Sequence, residues 1–103
     1  MAKVIFTISY DIKPEKRDEY LALSKEMKHH LAGSKGKNYT IYEHKGKKNS
    51  FSEVFICNSM EEFDRLEDDQ DDTTEELVQR LEDMLTNGKM KYATLVELNH
   101  DQQ

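Results

Sequence analysis

Apolar and polar residues alternate most regularly between Val4 and Ile12, and this alternation predicts a β-strand. One side of this strand carries an apolar row, and the opposite side begins with Ile5 and Thr7 and becomes polar only at Ser9. A strand with one solvated side should be polar along that whole side, so we expect both faces of the sheet to be covered. The apolar row consists of Val4, Phe6, Ile8, Tyr10 and Ile12.

A helix is predicted to begin at Pro14, because proline is tolerated in the first helical turn, where its missing amide is not needed. Apolar residues then recur at steps of three or four, which places them on one face of the helix. Gly33 is the predicted end. The apolar stripe contains Tyr20, Leu23, Met27 and Leu31.

Two more helices are predicted in the second half of the chain. Ser59 and Glu62 have the spacing of a capping box and begin a short helix, and Thr73 and Glu76 have the same spacing before a longer one. The longer helix carries the most regular apolar stripe of the sequence and is predicted to end before Gly88. Its stripe consists of Leu77, Val78, Leu81, Met84 and Leu85.

Three further alternating segments predict strands over residues 38–44, 51–57 and 90–98, and the first two are joined by a hairpin loop around Gly46. In the middle segment, Phe51, Glu53 and Phe55 share one side. The resulting order, βαββααβ, is that of a ferredoxin-like α+β domain, a four-stranded antiparallel sheet with helices on one face. We expect residues 1–99 to form this single domain and residues 100–103 to be a polar tail.

Three segments carry a resemblance to a known family: the strand VIFTISYDI with the helix after it, the stretch FSEVFICNSMEEFDRLED, and the closing MKYATLVEL. Together they resemble the dimeric α/β-barrel superfamily, most closely the antibiotic-biosynthesis-monooxygenase-like domains. The resemblance implies a homodimer in which two sheets pack face to face as a barrel. It also implies an apolar pocket between the sheet and the helices of each subunit.

Composition limits the partners of this chain. A formal net charge of -6 over 103 residues is unfavourable for binding a phosphate backbone, so nucleic acid is not expected as a partner. No apolar run approaches the roughly 20 residues that span a bilayer, and residues 1–10 lack the pattern of a secretory signal. A single cysteine, Cys57, is typical of a reducing compartment, and we therefore expect a cytoplasmic protein that does not bind membranes.

The polar residues most suited to line an enclosed cavity are on the predicted strands. Thr7, Ser9, Tyr42, His44 and Tyr92 are accordingly the candidate ligand-binding residues. We expect no metal site and no cofactor: the adjacent His29 and His30 point about 100° apart on a helix, and no phosphate-binding loop occurs. The sequence identifies no catalytic residue.

Two hypotheses of function stay open. The first is a cofactor-independent monooxygenase-like or isomerase-like enzyme that acts on a small apolar or aromatic compound. The alternative is a non-catalytic dimeric module that binds a ligand or serves as a stress-related accessory protein. The fold is compatible with both, so only the chemistry of the site can discriminate between them.

Overall fold

The computed structural model describes residues 2–100, which form four strands and three α-helices. The predicted polar tail therefore lies mostly outside the described residues. A 3₁₀ turn over Pro14–Lys16 precedes the first α-helix, and a π-helical segment over His29–Ser34 follows it. The elements are β1 (Val4–Asp11), α1 (Arg17–Lys28), β2 (Tyr39–Glu43), β3 (Ser50–Cys57), α2 (Met60–Asp68), α3 (Asp72–Glu82) and β4 (Lys91–Val96).

The four strands form one sheet in the order β2-β3-β1-β4, with every neighbouring pair antiparallel. β1 is central, and its residue Phe6 lies opposite Phe55 of β3 and Thr94 of β4. Order and direction are those of the predicted ferredoxin-like sheet, and this prediction is confirmed. We call the face that carries Phe6 and Phe55 the helix side, and the face that carries Ile5 and Thr7 the open face.

All three helices pack against the helix side. Tyr20 of α1 contacts Phe51 with ring centroids 4.3 Å apart, and Phe63 of α2 contacts Phe6 at 5.7 Å. Leu77 and Leu81 of α3 are buried in the same core. Most of the predicted stripes of α1 and α3 are therefore buried against the sheet, but Val78, which was predicted to belong to the α3 stripe, is 39% exposed.

The first helix begins at Pro14 as predicted, but only as a 3₁₀ turn that becomes α-helical at Arg17. Its predicted end at Gly33 falls inside the π-helical segment, which continues to Ser34. The left-handed residue that follows is Gly36, with φ of +67°. A glycine adopts this conformation without steric cost, so Gly36 rather than Gly33 provides the turn.

The start of α3 differs from the prediction. Asp71, and not Thr73, is the N-cap, since its carboxylate accepts a hydrogen bond from the Thr74 amide at 2.8 Å. The helix also ends at Glu82, because Leu85 leaves the helix to form a bridge with Ile12. The predicted cap of α2 is confirmed: the Ser59 hydroxyl accepts from the Glu62 amide at 3.1 Å.

The ends of the strands differ by a few residues from the prediction, as is usual where pairing stops. β4 spans Lys91–Val96 rather than 90–98, and β1 ends at Asp11. Among residues 2–100, no helix is long and apolar enough to cross a membrane.

Candidate functional site

A groove with a volume of about 640 Å³ lies between the helix side of the sheet and the helices. Its walls come from β1, β3 and β4 and from all three helices. An aromatic cluster forms part of the wall, with Phe6 at 6.1 Å from both Phe55 and Tyr92 between ring centroids. The size and the apolar lining suit a small organic molecule. Apolar lining residues include Phe6, Phe55, Phe63, Leu66, Leu77 and Tyr92.

Glu53 is an acidic residue in this otherwise apolar part of the fold. It lies on the helix side of β3 between Phe51 and Phe55, lines the groove, and is only 5% exposed. The Tyr39 hydroxyl donates a hydrogen bond to its carboxylate at 2.8 Å. A buried carboxyl group that faces a cavity is a candidate for proton transfer.

Three buried tyrosines surround this carboxyl group. Tyr10 and Tyr20 are joined by a hydrogen bond of 2.8 Å between their hydroxyls, and Tyr39 contacts Glu53 directly. Burial raises the pKa of all three tyrosines, and the nearby charge of Glu53 raises each pKa further. The phenols therefore stay neutral and remain hydrogen-bond donors when Glu53 is ionised.

Burial raises the pKa of Glu53 above its ordinary value, because a carboxylate loses its hydration in this position. The hydrogen bond from Tyr39 acts in the opposite direction, since it stabilises the charged form. A carboxyl group with a raised pKa is a better proton acceptor than an exposed one, and it can also return the proton. The environment of Glu53 is thus suited to a general acid and base.

Charged residues form part of the groove wall. Lys35 forms ion pairs with Asp69 at 3.0 Å and with Asp71 at 3.2 Å, and Lys37 pairs with Asp69 at 2.8 Å. His30 contacts Asp71 as well, at 3.2 Å. The N-cap of α3 is therefore held by the π-helical segment after α1, which fixes the distance between these two walls.

The predicted ligand-binding residues divide between the two faces of the sheet. Tyr92 lines the groove. Thr7 and Ser9 are on the open face, as are Tyr42 and His44, because Tyr42 lies opposite Ser52, which itself pairs with Ser9. The structure therefore separates Tyr92 from the other four.

Two of these residues on the open face are joined through Ser52. The Ser9 and Ser52 hydroxyls are 2.7 Å apart, and His44 Nε2 is 2.6 Å from the Ser52 hydroxyl. His44 Nδ1 lies 3.0 Å from the hydroxyl of Ser50. Both ring nitrogens of His44 thus have partners on the neighbouring strand.

Glu53 was not among the candidates from the sequence, although a signal for it was present. It is the one acidic residue in an inward-facing row that otherwise consists of Phe51 and Phe55. Charged residues are rarely fully buried without a role or a partner. An acidic residue at that register position could have been singled out from alternation alone.

No cluster of three or more histidine, cysteine or acidic side chains with the geometry of a metal site occurs among residues 2–100. Cys57 is buried at the end of β3, and burial raises the pKa of its thiol. A thiol with a raised pKa is a weak nucleophile at neutral pH. Cys57 is therefore a small core residue.

Solved structures with the same architecture identify the fold. A conserved protein from Methanosarcina mazei is 17% identical with a TM-score of 0.76, and the match covers 92% of both chains. SnoaB, a cofactor-independent oxygenase from Streptomyces nogalater, is 12% identical with a TM-score of 0.71, over 98% of both chains. An antibiotic biosynthesis monooxygenase is 17% identical with a TM-score of 0.68, over 96% of this chain and 98% of that one.

The chain has the fold of the antibiotic biosynthesis monooxygenases. This confirms the resemblance inferred from the strand and helix segments. No family model matches the sequence, and no curated protein matches it. Identities of 12–17% in these three comparisons establish the architecture of a monooxygenase-like domain and leave its chemistry to be argued from the groove.

Proposed function

We propose that this protein is a small enzyme that binds an apolar or aromatic carbonyl compound in the groove and uses Glu53 to move a proton. The observation that carries the proposal is a carboxyl group with a raised pKa on the wall of an apolar cavity. Proton transfer needs only the side chain and the substrate. The proposed activity is therefore monooxygenase-like or isomerase-like and independent of a cofactor.

In the proposed reaction, the Glu53 carboxylate accepts a proton from a carbon next to the substrate carbonyl, and the bonding electrons move onto the carbonyl oxygen. Where a C=C bond of the substrate is conjugated with the resulting enolate, return of the same proton to the γ-carbon moves that double bond and completes an isomerisation without any co-reactant. In an oxygenase, the same anion at a CH₂ carbon would react with O₂ as the oxidant to give a hydroperoxide, which loses water to form a new carbonyl. One oxygen atom then stays in the product and the other leaves as water. SnoaB, which shares the fold, is a cofactor-independent oxygenase, and this supports the second variant.

Two tyrosines have proposed roles beside Glu53. Tyr39 positions the carboxyl group and disfavours its protonation through the 2.8 Å hydrogen bond. Tyr92 lies in the groove with 63% of its surface exposed and 6.1 Å from Phe6, so its ring can contact an aromatic substrate. The proposed ligand-binding role of Tyr92 is the one predicted from the sequence, and its place in the groove wall supports it.

The test is an exchange reaction that reports proton abstraction directly. A panel of aromatic 1,3-dicarbonyl compounds is incubated with the protein in D₂O, and deuterium uptake at the acidic carbon is followed by NMR. We expect catalysed uptake that Glu53→Gln reduces by about 10²-fold or more, the usual contribution of a general base. Glu61→Gln, at an exposed position outside the groove, is the matched control and should keep the wild-type rate.

The alternative is a non-catalytic module that only binds a ligand. One observation favours it, namely that Glu53 is 5% exposed and already accepts a hydrogen bond, as a purely structural buried acid would. Ligand binding in the groove with equal exchange rates for wild type and Glu53→Gln would support this alternative. Such a result would contradict the proposed proton transfer.

We also propose that the protein forms a homodimer through the open face. The face carries a row of apolar side chains across three strands, and Leu95 among them is 56% exposed. Apolar surface of this kind on a sheet is stabilised when a second sheet covers it. Thr7, Ser9, Tyr42 and His44 would then lie in the interface. The apolar row consists of Ile5, Val54, Ile56, Ala93 and Leu95.

A further inference from the structure

The ionisable side chains that line the groove are predominantly acidic. Lys35 and Lys37 are the basic ones among the lining residues. The acidic ones are Glu53, Glu67, Asp69, Glu75 and Glu82. The excess of carboxyl groups gives the groove a negative potential that a bound molecule has to match.

The two lysines are not available to offset this excess. Lys35 is paired with Asp69 and Asp71, and Lys37 with Asp69, so their charges are balanced locally. Within the part of the chain from residue 2 to residue 100, the rim residues Glu67, Glu75 and Glu82 form no ion pair. The rim residues therefore contribute negative charge around the apolar walls.

We infer that the groove selects a substrate whose apolar body carries a protonated amine, and that it discriminates against carboxylates of the same shape. This rests on the proposed function and names the substrate class for the same groove. A ligand anion would meet the rim carboxyl groups and also the Glu53 carboxyl, which is poorly solvated already. A ligand cation gains attraction from the same groups and lowers the cost of ionising Glu53.

Three probes of matched shape test the inference: 2-naphthylmethylamine, 2-naphthylmethanol and 2-naphthoate. Their dissociation constants are measured by titration calorimetry with the full chain. At about 0.01 M salt we expect the amine to bind about fivefold more tightly than the alcohol, and the alcohol about fivefold more tightly than the carboxylate. Raising the salt to about 1 M should bring the three constants together, because the charges are screened.

A matched pair of double variants separates the groove charges from the net charge of the protein. Glu67→Gln with Glu75→Gln removes one lining carboxyl group from α2 and one from α3. Glu61→Gln with Glu76→Gln removes two exposed ones from the same helices outside the groove. We expect the first pair to lower the amine-to-carboxylate affinity ratio by about fivefold and the second pair to leave it unchanged.

Equal or tighter binding of 2-naphthoate would overturn the inference, and so would an equal effect of the two double variants. Absence of binding by all three probes would overturn it as well, because the groove would then not be a site for such molecules. These outcomes are distinct from a failure of the proposed function. That failure would appear as deuterium exchange unaffected by Glu53→Gln, whatever the charge preference of the groove.

Discussion

Glu53→Gln offers a quantitative test of the site that needs no substrate. The glutamine keeps the shape of the side chain and an oxygen that can accept the Tyr39 hydroxyl, but it cannot ionise. Burial raises the pKa of Glu53 in the folded protein above the ordinary value of 4.5. The folded state therefore holds this proton more tightly than the unfolded state does.

The sign of the pH effect follows from that difference. The contribution of Glu53 to stability is fully present below pH 4.5, the ordinary pKa of the group, and is lost as the pH rises through the raised pKa of the folded state. For each unit by which the pKa is raised in the folded state, the wild type loses about 1.4 kcal/mol of unfolding free energy once the pH exceeds the folded-state pKa. Glu53→Gln avoids this loss, so the variant should become more stable than the wild type at higher pH.

The assay is urea unfolding of wild type and variant between about pH 4 and pH 9, and the difference in unfolding free energy is plotted against pH. We expect a difference that grows with pH and reaches a plateau. The rise of this difference from low pH to the plateau, divided by about 1.4 kcal/mol, gives the number of units by which the pKa of Glu53 is raised. Each kcal/mol should appear as about 4–8 °C in the melting temperature of a domain of this size.

Carboxyl groups with lowered pKa, such as Asp69 and Asp71, lose their contribution only at pH values below this window. Glu61→Gln, at an exposed position, is the control and should give a flat difference. A flat difference for Glu53→Gln would refute the raised pKa and remove the basis of the proposed proton transfer.

Three further predictions concern the core, the open face and a surface ion pair. Leu81→Ala should lower the free energy of unfolding in urea by about 2–5 kcal/mol, because Leu81 is 2% exposed. Val78→Ala, at a 39% exposed position on the same helix, should lower it by less. Equal losses would mean that α3 faces the other way. Ile5→Lys should convert the proposed dimer into monomers, as measured by sedimentation velocity, because an unpaired charge in an apolar interface is unfavourable. A wild type that is already monomeric at micromolar concentration would contradict the proposed dimer. The Arg17 guanidinium lowers the pKa of Glu43 to about 2, so the contribution of this carboxylate is present above pH 4.5 and is lost as the pH falls toward 2. Glu43→Gln should accordingly lower the melting temperature at neutral pH and have no effect in strong acid, and an equal effect at both pH values would argue against the ion pair.

The sequence by itself determined the order of the elements and the ferredoxin-like sheet. Alternation in β1 and the stripe of Leu77 and Leu81 depend on residues close in sequence, and so does the cap formed by Ser59. Local patterns of this kind are visible without knowledge of the fold, because strand and helix periods place neighbouring residues on one face. The resemblance to monooxygenase-like domains rested on the same patterns and was confirmed at the level of the fold.

The tertiary structure alone decided the site. Asp71 rather than Thr73 caps α3, where Lys35 and His30 also contact Asp71 from a distant part of the chain. The separation of Tyr92 from the candidates on the open face likewise follows from strand register, which the sequence of a single strand does not specify. Glu53 is 5% exposed and accepts a hydrogen bond from Tyr39 of the neighbouring strand β2, and its raised pKa is a property of this enclosure in the folded chain rather than of the residues beside it in sequence.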